Sequence, residues 1–70
     1  MTAPTTVTLN GEPSAVGSPA TVGSIVDGLG RGRRGISVAV NAVLVPRSAW
    51  DDAVVHEGDR VEVLTAVQGG

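Results

Sequence analysis

The 70-residue sequence contains no cysteine, lysine, phenylalanine or tyrosine, and one residue each of tryptophan, histidine and methionine. Each absence narrows what the chain can be. Without cysteine, neither a disulfide framework nor a thiolate metal site can support the fold. The single histidine, His56, has no second ligand candidate nearby and reads as a surface residue. No apolar run approaches the roughly 20 residues that span a bilayer. The first seven residues lack the basic and apolar regions of a signal peptide, so a cytoplasmic protein is the expectation. The formal charge of −2 argues against a nucleic-acid binder.

Seventy residues allow one domain. A chain this short buries only about 60 % of its unfolded surface, which leaves little volume for a substrate cleft. The hydrophobic residues are nearly all Val, Leu, Ile and Ala. The valines favour strands, because β-branched side chains fit a pleated, half-buried surface.

Thr5, Thr6, Val7, Thr8 and Leu9 alternate polar and apolar, a first strand with Val7 and Leu9 directed into a core. Asn10 and Gly11 form the strongest two-residue hairpin signal, since both central residues must take positive φ. The return strand, about 13–16, starts at Pro13 and is expected at a sheet edge, because proline cannot donate a ladder hydrogen bond. Val22, Ile25, Val26 and Leu29 then make one apolar stripe at helical spacing. Thr21 is the nearer N-cap, with Ser18 before Pro19 as an alternative start, and Gly30 supplies the left-handed stop. Gly23 and Gly28 inside this helix each cost about 1 kcal/mol relative to Ala.

Gly30, Gly32 and Gly35 spell G-x-G-x-x-G, but a helix precedes the motif and a strand follows it. A dinucleotide site needs the reverse, with a helix N-terminus facing the pyrophosphate. Arg31, Arg33 and Arg34 read as a solvated loop, with docking to an acidic partner surface as the alternative. Ile36, Val38 and Val40 form the next strand, followed by a turn at Asn41 and Ala42 and a short strand 43–45 ended by Pro46. A side chain at Ala42 is costly at positive φ, so a wider loop is expected there. Residues 47–52 suit one helical turn capped by Ser48, and Trp50 reads as a lid on the small core rather than a ligand platform. A tight turn at 57–60 leads into the last strand, 61–68. In it Val61, Val63, Thr65 and Val67 share one face, and Arg60, Glu62, Leu64 and Ala66 the other. Leu64 and Ala66 thus form an apolar spot facing away from the helix, suited to a partner contact.

One helix can cover one face of one sheet, so the element order gives a two-layer α+β domain. If the first and last strands pair in parallel at the sheet centre, the result is a β-grasp, or ubiquitin-like, roll: a mixed sheet of four to five strands covered by one helix. The expected organisation is a β-grasp domain at 1–67 and a flexible Gln-Gly-Gly tail at 68–70.

Several stretches then match a known pattern in the right order. They are Leu9-Asn10-Gly11-Glu12, Ala20-Thr21-Val22, Val38-Ala39-Val40-Asn41, Val45-Pro46-Arg47-Ser48-Ala49-Trp50, Glu57-Gly58-Asp59-Arg60-Val61-Glu62-Val63 and the ending Thr65-Ala66-Val67-Gln68-Gly69-Gly70. Together they resemble the ThiS family, the sulfur carriers of thiamine thiazole biosynthesis, from about residue 7 to residue 70. The departures are Ala42, where that family has Gly after Asn, and the arginine-rich loop. The resemblance implies that an activating enzyme adenylylates the C-terminal carboxylate with ATP. Sulfur from a donor protein then gives a thiocarboxylate, which a thiazole synthase uses to build its ring. Carried over, the sulfur-bearing group is the carboxyl of Gly70, with Gly69 and Gln68 as its tail. The chain would hold no cofactor or metal, ATP being used by the partner, and would be no enzyme. With no cysteine to hold a persulfide, sulfur would have to reside on the C-terminus. The small subunit of molybdopterin synthase resembles this chain in fold and tail, but is longer and richer in Phe. A ubiquitin-like interaction module with an inert tail is a further alternative. Neither nucleic acid nor membrane is expected as a partner.

Overall fold

In a computed structural model describing residues 3–65, the chain reverses where the Asn-Gly pair requires it. Strand β1 (Thr5–Leu9) and strand β2 (Glu12–Val16) pair antiparallel across a two-residue turn, with Asn10 at φ 49° and Gly11 at φ 86°. Strand β2 forms one edge of the sheet, where Pro13 is tolerated. After a two-residue strand β3 (Ala20–Thr21), helix α1 (Val22–Gly28) crosses the sheet. Strands β4 (Ile36–Val40) and β5 (Val43–Val45) form a second hairpin. A 3-10 turn (Arg47–Ala49) and strand β6 (Val54–Val55) lead to the final strand, β7 (Arg60–Thr65).

The main sheet has the order β2-β1-β7-β4-β5. Its first and last strands, β1 and β7, are parallel neighbours, with Thr8 beside Arg60 and Leu9 beside Val61. Strand β4 runs antiparallel to β7 on the other side, from Ile36 opposite Thr65 to Val40 opposite Val61. This is the expected mixed five-stranded β-grasp sheet under one helix. A two-stranded ladder of β3 and β6, pairing Ala20 with Val55 and Thr21 with Val54, had no counterpart in the sequence reading.

The core lies between sheet and helix. Val7, Val38, Val61 and Val63 face Val22, Ile25 and Val26, and Trp50 closes one side at 1 % exposure. The Trp50 indole Nε1 donates to the Val45 carbonyl at 3.0 Å, so its polar edge is satisfied as its ring is buried. Thr21 caps the helix in a reciprocal box. Its hydroxyl accepts from the Ser24 amide at 3.1 Å, and the Ser24 hydroxyl accepts from the Thr21 amide at 3.0 Å. The alternative start at Ser18 is not used.

Four local expectations need correction. Leu29 caps the helix rather than extending its buried stripe, and is 38 % exposed, because α1 ends at Gly28. The Asn41-Ala42 connection is a tight two-residue turn and not a wider loop, with Ala42 held at φ 68°. Hydrogen bonds around Asn41 hold that geometry: its amide donates to the Arg60 carbonyl at 2.7 Å, and its carboxamide accepts from the Arg60 amide at 2.9 Å. Ser48 lies inside the 3-10 turn, whose N-cap is Pro46 without a side-chain bond. Finally, Arg33 is not a solvated loop residue, as described next.

Candidate functional site

The expected carrier residues Gln68, Gly69 and Gly70, together with Ala66 of the apolar spot, lie outside the described residues. So do the 67/68 domain boundary and the continuation of the last strand to residue 68. The structure does place the strand that leads to them. Thr65 pairs with Ile36, so β7 ends beside the start of β4, just after the arginine-rich loop. The Asn10-Gly11 turn stands at the same end of the sheet, since the Asn10 side chain contacts the backbone of Val63.

On β7, Val61 and Val63 are buried while Arg60, Glu62 and Leu64 face outward, as the alternation predicts. Leu64 is 65 % exposed and Leu44 on β5 is 68 % exposed. Leu64 is opposite Ser37, Glu62 is opposite Ala39, and Ala39 is in turn opposite Leu44. The two leucines therefore share the open sheet face on either side of β4, whose outward residues between them are the small Ser37 and Ala39. Leu44 was not singled out by sequence reasoning. A three-residue strand has too little alternation to reveal its outer face.

The basic loop divides in two. Arg33 turns back onto the domain, donating to Asp27 through Nε and Nη2 at 2.9 Å each and to Asp51 through Nη2 at 2.8 Å. Its hydrogen bonds hold the carboxyls of Asp27 and Asp51 below the usual carboxylate range, and the two carboxylates hold the guanidinium pKa above its ordinary value. The bridge spans Gly23, where a Cβ would run into the side chains of both Asp51 and Arg33. Glycine at this helical position thus makes room for the ion pair. Arg31 and Arg34 are exposed and form no ion pair among the described residues.

Among the described residues, every buried side chain is apolar, and no three acidic or histidine side chains gather in a metal-binding arrangement. The first helix-turn amides are satisfied within the protein: Val22 donates to the Ala53 carbonyl and Gly23 to the Trp50 carbonyl, both at 2.9 Å. A groove of about 400 Å³ between β2 and α1 is lined by Leu9, Val16, Pro19, Ile25 and Leu29 among others, with no titratable side chain. No described helix is long and apolar enough to cross a membrane. The described residues thus offer an open sheet face with two exposed leucines, and a last strand that leads toward the C-terminus.

Comparison with known proteins fits this arrangement. The model of the ThiS family matches residues 7–70. The sulfur carrier protein ThiS of Escherichia coli is 30 % identical over 50 residues, covering 71 % of this chain and 76 % of that protein. A thiazole synthase of Paramagnetospirillum magneticum is 31 % identical over 62 residues, 89 % of this chain, which spans only 19 % of that protein's length. The crystal structure of a thiamine biosynthesis protein (ThiS) from Geobacter metallireducens superposes with a TM-score of 0.77 at 31 % identity, covering 93 % of this chain and 99 % of that one.

Proposed function

The chain belongs to the ThiS family, and on that premise we propose that it is a sulfur carrier of thiamine biosynthesis whose reactive group is the carboxyl of Gly70. The observation that carries the reading is the family match across residues 7–70, which includes the diglycine. The protein is a carrier and not itself a catalyst, in keeping with a core too small for a cleft.

The chemistry suits the residues. A terminal carboxylate has an ordinary pKa of about 3.5 and is ionised at neutral pH, so it can attack the α-phosphate of ATP and release pyrophosphate. The resulting acyl adenylate carries a good leaving group. A sulfur nucleophile displaces AMP and leaves a thiocarboxylate, which passes its sulfur on for ring formation. Gly69 and Gly70 lack Cβ atoms, so they fit a narrow channel and leave the carbonyl carbon open to attack. Adenylylation, the sulfur donor and the base chemistry belong to partner enzymes, and ATP is consumed there rather than held here. This use of ATP favours the cytoplasm.

The partners are an adenylylating enzyme, a sulfur donor protein and a thiazole synthase. The last is supported by the stretch similar to this chain within a protein named thiazole synthase. Leu64, with Leu44 across β4 on the same face, forms the contact through which the sheet face meets these enzymes.

Intact mass spectrometry tests the reading. Incubation with the activating enzyme, ATP and a sulfur source will raise the mass by one oxygen-to-sulfur exchange at Gly70. Deleting Gly70, or adding one residue after it, will abolish the gain without changing the circular-dichroism spectrum. Sulfur uptake by the extended chain would sink the proposal. A deletion strain that requires molybdenum cofactor rather than thiamine would move the carrier to the other pathway.

A further inference from the structure

Strand β7 is bracketed at both ends by asparagines, each from a hairpin turn. On its β1 side, alternate carbonyls from the residue before β7 onward accept from β1 and the residue after it: Asp59 from the Thr8 amide at 2.9 Å, then Val61 from the Asn10 amide at 2.9 Å. The next donor would come from residue 12, but the turn at Asn10-Gly11 has by then carried the backbone away into β2. The Asn10 side chain takes its place. Its Nδ2 donates to the Val63 carbonyl at 3.1 Å, and its Oδ1 accepts from the Val63 amide at 2.7 Å. A carboxamide thus stands in for a peptide group and extends the parallel pairing by one rung, toward the C-terminal end of β7.

Few residues could do both jobs. The turn needs a residue that accepts φ 49°, which favours Gly, Asn and Asp. The bracket needs one donor and one acceptor on a short side chain. Ionised aspartate offers only acceptors and glycine offers neither. At the other end of β7, Asn41 accepts from the Arg60 amide at 2.9 Å and donates to Asp59 Oδ1 at 3.1 Å. The two asparagines are similar in kind but differ in place, since only Asn10 stands toward the C-terminal end of β7.

We propose that Asn10 is a positioning residue for the carrier C-terminus, its carboxamide holding β7 in line through Val63 and so fixing the direction in which β7 presents the residues that follow it. The proposal rests on the carrier reading above. Aiming acts on the reacting end and not on the docking face. Its loss therefore lowers the rate at which a docked tail reaches the reactive geometry, while docking itself is retained.

The test compares Asn10→Gly with Asn41→Gly in the full chain, each keeping a residue suited to its turn. Adenylylation by the activating enzyme is followed at varied carrier concentration. For Asn10→Gly, kcat is expected to fall about tenfold with KM within about twofold of wild type, and the Val63 amide to exchange at least about tenfold faster. Asn41→Gly should lower the melting temperature yet leave kcat unchanged. Equal kcat losses in the two variants, or no loss in Asn10→Gly, overturn the proposal, as does unchanged exchange at Val63. Asn10→Asp adds a readout independent of the enzyme. Its ionised carboxylate can still accept from the Val63 amide but repels the Val63 carbonyl, so at neutral pH the variant should melt lower than wild type. The difference should shrink when the introduced carboxyl is protonated and can donate; a difference that does not shrink counts against the bracket. A wild-type chain that takes up no sulfur would instead refute the carrier reading itself.

Discussion

Ala42 shows how a single residue can be held in a conformation its own chemistry disfavours. At φ 68° its Cβ crowds the backbone, a cost of about 1–2 kcal/mol that glycine would not incur. The Asn41 hydrogen bonds to Arg60 and Asp59 hold the turn closed regardless. Ala42→Gly should therefore stabilise the domain by about 1 kcal/mol, raising the melting temperature by roughly 4–8 °C in a calorimetric scan. The helix glycines give a sharper contrast. Propensity alone says that Ala at either position stabilises by about 1 kcal/mol. Gly28 has open space around its missing Cβ and should follow that rule. Gly23 lies under the Arg33 bridge, so Gly23→Ala must push the ends of Asp51 and Arg33 aside and should gain less in melting temperature than Gly28→Ala. Sequence alone could price both glycines as helix defects but could not tell them apart. The difference depends on Asp51 and Arg33, which lie 28 and 10 positions away (51 − 23 and 33 − 23).

Among the elements, legibility followed the range of the signal. The Asn-Gly hairpin, the Thr21 cap and the alternation of β7 are written in adjacent residues and appear in the structure as read. The β3–β6 ladder was not legible, because two-residue strands have no periodicity to detect. The Arg33 bridge was equally hidden, since its acceptors come from α1 and from the turn after Trp50. That bridge has a pH signature. Asp27, Asp51 and Asp59 all have pKa values below the ordinary 3.8, the first two through Arg33 and the third chiefly through the His56 amide and Asn41. Their contribution is fully present above pH 3.8 and is lost as pH falls through the lowered values, because the unfolded chain binds protons first. Stability should therefore rise with pH across this acid range. In Arg33→Met the slope should be shallower, measured by urea unfolding at several acidic pH values.

At the scale of the whole molecule, the two faces of the main sheet differ. One face is covered by α1 and supplies the core, and the other leaves Leu64 and Leu44 open to solvent. Leu64→Arg should leave the melting temperature within about 1–2 °C of wild type, as for a typical exposed position. The same change should raise KM for the carrier at the activating enzyme about tenfold or more, measured by pyrophosphate release. An unchanged KM would remove Leu64 from the docking face. The exposure of Leu64 was readable from alternation, whereas the expectation of a carrier group at Gly70 came only by resemblance, since a diglycine has no side chains from which to argue.

The central position of β7 also has a mechanical consequence. A partner that draws the tail into a channel pulls along the axis of this strand. Because β7 is bonded on one side to β1 and on the other to β4, the pull loads those hydrogen bonds together in shear. An edge strand pulled away sideways would instead lose its bonds one after another, each breaking under the full force. The strand that leads to the C-terminus is thus bonded on both sides, so a pull along it is shared between two ladders rather than taken by one.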